Sequence, residues 1–127
     1  MQHSLRLCVG LFASTGLAVV LSGPALAHHG WAGNAEDHSE LTGTLESPVS
    51  LAGPHATMKI RVNSQVWDIT LAPPARTERS GLKEGVIPLG ATVTVLGHKN
   101  KDAKRFEMKT EKVTWNNRVF NVYPDLH

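Results

Sequence analysis

Hydrophobic and polar positions alternate with a period of two through most of the chain after residue 40. Leu41, Gly43 and Leu45 share one face of a first run, with Thr42, Thr44 and Glu46 on the other. This is the signature of a half-buried strand. Pro48 bends its end, and Gly53-Pro54 marks a turn. His55 to Val62 alternates again, setting Met58, Ile60 and Val62 against Thr57 and Lys59. Asn63-Ser64 is a tight-turn signal, and Val66 to Leu71 forms a third strand with Trp67, Ile69 and Leu71 together. Pro73-Pro74 stops the sheet, and Pro74 to Leu82 reads as a short helix closed by Gly81. After the loop Lys83–Gly90, Ala91 to Gly97 gives a fourth strand. Asn100-Lys101-Asp102 forms a hairpin loop, and Arg105 to Trp115 a fifth strand whose phase slips near Lys112, the sign of a bulge. Asn116-Asn117 turns the chain into a short sixth strand, Val119 to Val122.

Three strands, a short helix and two more strands is the order of an OB-fold. The expected class is all-β with one short helix: a small OB-like barrel of five to six strands, preceded by a cleaved signal helix. The expected division is 1–27 signal peptide, 28–39 N-terminal arm and 40–127 barrel.

The signal reading rests on Arg6, the apolar run Leu7–Leu21, the helix-ending Ser22-Gly23-Pro24 and the small-x-small Ala25-Leu26-Ala27. The run is shorter than the roughly 20 residues that span a bilayer. Cleavage would leave 127 − 27 = 100 residues, enough for one core. The only cysteine, Cys8, would be lost, so disulfides would play no part. With Arg6 gone, 12 Lys+Arg stand against 11 Asp+Glu, a formal charge of +1. Such a balance gives no reason to expect nucleic acid or an anionic membrane surface. A periplasmic or secreted location is expected, with no stable membrane insertion after cleavage.

Candidate chemistry lies in histidine. Cleavage would make His28 the first residue, and its α-amine and imidazole together chelate one metal ion. A third nitrogen is expected from His55, beside the Gly53-Pro54 turn, with His29 as a further metal ligand. Copper suits such a nitrogen set and leads the divalent affinity order; zinc is the alternative. Trp31 and His38, on the arm, are expected as cover or outer-shell groups. His98, ending the fourth strand, and His127 read as surface residues. Arg76 and Arg79 read as a solvated helix face with the spacing for a small anion. No catalytic constellation is recognisable: there is no nucleophile elbow, phosphate loop or spaced acidic pair.

The pieces His28-His29-Gly30-Trp31, Leu41-Thr42-Gly43-Thr44, Gly53-Pro54-His55, Val66-Trp67, Arg79-Ser80-Gly81-Leu82 and Gly90-Ala91-Thr92-Val93-Thr94-Val95 resemble a family of short exported bacterial domains of unknown function. Its members begin His-His after the signal peptide and carry a Pro-His turn. Gly53 stands where that family usually has Asn, and Leu89 where it has Pro. The resemblance implies the OB-like barrel and pairs the His-His start with the His of the turn. It implies no activity. Three readings follow: an exported copper-binding domain, a metal-free OB-like module for a small molecule or protein partner, and a copper-dependent redox enzyme.

Overall fold

The computed structural model describes residues 31–126. Its elements run β1 (Ser39–Ser50), β2 (Thr57–Val62), β3 (Gln65–Thr70), α1 (Pro74–Arg79), β4 (Thr92–Lys99), β5 (Glu107–Trp115) and β6 (Arg118–Asn121), then a 3-10 turn at Pro124–Leu126. The sheet order is β3-β2-β1-β4-β5-β6, and a parallel pairing of β3 with β5 closes the first five strands into a barrel. This is the all-β OB-like architecture, with β6 added along the far half of β5.

The barrel forms because the apolar phase of each strand points inward. Leu41 and Leu45 of β1, Met58 and Ile60 of β2, Ile69 of β3, Val93 and Val95 of β4, and Met108 and Val113 of β5 are buried together. Their burial is the main stabilising term, about 1.5–3 kcal/mol for each large aliphatic side chain. Leu82 and Ile87, after α1, close the core. Two differences from the alternation have physical causes. The helix ends at Arg79, where Ser80 still caps it and Gly81 takes φ +95°, a left-handed stop. Trp67 is only half-buried, because it lies at the β3–β5 closure, edge-on to Phe106 and under Lys99.

The turns use the residues their geometry demands. Asn63, Asn116 and Asn117 have φ of 55°, 51° and 59°, the left-handed region that asparagine tolerates best after glycine. The phase slip in β5 is a bulge: Leu96 pairs with Lys112 and Gly97 with Thr110, leaving Glu111 unmatched. Gly97 is needed beside it. A Cβ there would overlap the Lys109 carbonyl and lie 2.8 Å from the Thr110 Cα.

Replacing Gly97 by Ala is expected to cost about 1–3 kcal/mol in urea unfolding, the range for overpacking. Gly33→Ala, where a Cβ meets nothing within 4 Å, is expected to change stability by less than about 0.5 kcal/mol. Equal effects at both positions would contradict the bulge constraint.

Candidate metal centre

The bulge sets the chemistry of one end of the barrel. Freed from the β4 ladder, Glu111 turns its side chain toward the segment before β1, where it is 2% exposed. Its carbonyl accepts hydrogen bonds from Val122 and Tyr123 at 2.9 and 3.4 Å, which hold the bulge against the C-terminal segment. Ser39 pairs with Gly97, so the residues one step outward, His38 and His98, come side by side. Their rings lie 4.4 Å apart, tilted by 43°.

Both imidazoles meet the buried carboxylate. His38 Nε2 lies 2.9 Å from Glu111 Oε2, and His98 Nε2 lies 2.8 Å from Glu111 Oε1. The His98 side chain is 12% exposed and that of His38 47%, so the group opens to solvent on the His38 side. The other nitrogen of His98, Nδ1, is 2.8 Å from the Ala35 carbonyl oxygen. A carbonyl only accepts, so Nδ1 carries the hydrogen. In a neutral imidazole Nε2 is then a bare lone pair facing a carboxylate. A proton or a metal cation must lie between them for the contact to be attractive.

This donor set fits a metal ion. One ligand atom from each of His38, His98 and Glu111 lies within 4.8 Å of the others. A tetrahedral ion with bonds near 2.1 Å places its ligands about 3.4 Å apart, so small side-chain adjustments suffice. Metal-binding histidines commonly donate their second nitrogen to a backbone carbonyl, as His98 does to Ala35, which fixes tautomer and ring orientation. The three residues could therefore hold a metal ion.

Trp31 packs edge-on to His98, with ring centroids 5.1 Å apart, and against Tyr123 at 5.5 Å. Lys109 Nζ stands over the same indole at 5.2 Å. Trp31 thus covers one flank of His98. His38, expected as an outer group, is a member of the donor trio itself. The reading of His98 as a surface residue is corrected: the β4 strand runs two residues further than the alternation indicates and carries His98 over the bulge.

His55 is not among these donors. It is half-buried next to Ala56, whose bonds to Leu71 and Ala72 extend the β2–β3 ladder. Partial burial, and then the charge of Lys109, hold its imidazole below the usual histidine range. Burial likewise lowers Lys109 and raises Tyr123. His28, His29 and His127 lie outside the described residues. Glu111 escaped sequence reasoning, because strict alternation puts it on the solvent face; the signals were the slip at Lys112 and a glycine beside a histidine in β4.

A family model covers residues 17–109, most of the chain. The chain belongs to DUF6152, a family of unknown function. Among curated proteins none matches it. Solved structures similar to it include the tRNA agmatidine synthetase TiaS in its apo form (19% identity, TM-score 0.47) and a ZRD-deleted mutant of TiaS in complex with agmatine (18%, 0.47). A tRNA fluorescent labeling enzyme is similar at 18% and 0.46. Each match covers 61% of this chain but only 18%, 21% and 17% of the other. The chain spans about a fifth of those proteins. No helix among the described residues is long and apolar enough to cross a membrane.

The depressed His55 has a consequence with a definite sign. The folded state favours its neutral form, whereas the unfolded chain takes a proton near pH 6.5. Stability that is full above that pH is lost as pH falls through it. His55→Gln is expected to lose less stability than the natural chain between pH 7 and pH 5 in chemical unfolding. Parallel losses would contradict a buried neutral His55.

Proposed function

We propose that this DUF6152 protein is an exported metal-binding domain that holds one divalent transition-metal ion on His38 Nε2, His98 Nε2 and the Glu111 carboxylate. The observation that carries the reading is the commitment of the His98 Nδ1 hydrogen to the Ala35 carbonyl. In a neutral imidazole this leaves Nε2 as a lone pair aimed at a buried carboxylate 2.8 Å away, a contact that an intervening cation makes attractive. A cation satisfies both groups at once and offsets the cost of burying Glu111.

Copper(II) is the proposed ion and zinc the alternative. Two imidazoles and a carboxylate suit both, and copper leads the divalent order. The leader-like segment Arg6–Ala27 supports export. Export also bears on the ligand set, since cleavage after Ala27 would give His28 a free amine. Three extended residues span at most about 10–11 Å, and Trp31 rests against His98, so the His28 amine and imidazole have the reach to join the trio. The proposed role is binding and carriage of the ion. His55 would be a neighbour of the site and no ligand.

Calorimetric titration with copper(II) and zinc(II) tests this on protein recovered after export, its first residue read by mass spectrometry. One tight equivalent is expected. Glu111→Gln and His98→Ala should each weaken it by at least about 100-fold, the upper end of what loss of an outer-shell partner costs, with the fold checked by circular dichroism. His55→Ala should leave it unchanged. Binding lost in His55→Ala but kept in Glu111→Gln would favour a His28–His55 site instead. No stoichiometric binding would leave a metal-free OB-like module in which His38, His98 and Glu111 are structural.

A further inference from the structure

The arm does more than present His38. Its hydrogen bonds to the hairpin fall on four consecutive residues, His98 to Lys101, the last two of β4 and the two that follow. Asn34 forms a bridge with Asn100, and its side-chain Nδ2 donates to the His98 carbonyl at 2.9 Å. Ala35 N–H donates to the Lys99 carbonyl at 2.8 Å, and Lys101 N–H donates to the Gly33 carbonyl at 2.9 Å. Ala35 returns its own carbonyl to His98 Nδ1. The arm is therefore a short extension of the sheet, laid along the β4–β5 hairpin.

Little apolar surface holds it there. Ala32, Gly33, Glu36 and Asp37 are exposed, and Trp31 is the one large apolar side chain of the segment 31–38. Docking by a single indole and a few surface hydrogen bonds belongs to the low-stability end of a fold. Yet two features of the metal centre exist only when the arm is docked: His38 reaches Glu111, and the Ala35 carbonyl fixes the tautomer of His98.

We propose that the segment Trp31–His38 is a clasp with Asn34 as its catch, a positioning residue for the metal centre, and that metal binding and clasp closure are one coupled equilibrium. The inference rests on the metal reading given above. Docking pre-organises two ligands, so the docked form binds the ion more tightly. By reciprocity the ion must favour docking by the same factor. Release of the ion then follows from peeling the arm off the hairpin, without opening the barrel.

Two measurements on the exported protein test the clasp. Hydrogen exchange at the Ala35 and Lys101 amides is expected to slow about tenfold or more on saturation with zinc(II), while the Val95 amide inside the barrel keeps its rate. Asn34→Ala is expected to weaken metal binding by about tenfold, the lower end of an outer-shell loss, and to leave the unfolding midpoint of the metal-free barrel in place. A natural chain that binds metal with no change in arm exchange overturns the clasp and leaves the metal site standing. So does an Asn34→Ala variant that binds as tightly as the natural chain. A natural chain that binds no metal overturns both readings.

Discussion

Glu111 is a carboxylate in the wall of a small barrel, and its burial to 2% exposure is the constraint around which this end of the molecule is arranged. A buried charge is tolerated only when paired and hydrogen-bonded. Here the partners are two imidazoles, one on each oxygen. The β5 bulge exists to aim the carboxylate at them, Gly97 exists to let the bulge approach β4, and the arm exists to bring in His38 and orient His98. Losing the arm takes away His38, the partner of Oε2, and the carbonyl that orients His98. The chain of dependence runs from a single extra residue in one strand to a three-residue site with defined donor atoms.

The barrel was largely legible in the order of residues. Strands such as β1, β2 and β4 bury one face and wet the other, so Leu41, Ile60 and Val95 declare the inner face directly. Turns were legible because Asn63, Asn116 and Asn117 adopt a backbone that few side chains accept. The slip near Lys112 pointed to the bulge. The metal centre was legible only in part. His38 was a candidate, but its partners lie 60 and 73 positions further along, and nothing local joins them. Glu111 was hidden because the bulge reverses the face that alternation assigns to it. His98 was hidden because β4 outlasts its apolar pattern; Gly97 is the residue that betrays a close approach beside it.

The placement of the trio also separates its roles. Glu111 is buried and carries the charge, His98 is nearly buried and has its tautomer fixed, and His38 faces solvent on a lightly held arm. On the proposed reading, an ion would enter from the His38 side and be held most firmly at the deep end. Trp31, in contact with Tyr123 and Lys109, covers the flank of His98. The family match ends at Lys109 and so contains His38 and His98, with Glu111 two residues beyond it.

X-ray absorption spectroscopy of the metal-loaded protein tests the central claim most directly, because it reports the atoms bound to the ion. The account predicts imidazole scattering from at least two histidines with nitrogen near 2.0–2.1 Å, together with a carboxylate oxygen that disappears in Glu111→Gln. A shell of water oxygen, or an imidazole set that is unchanged in Glu111→Gln and His98→Ala, would contradict it.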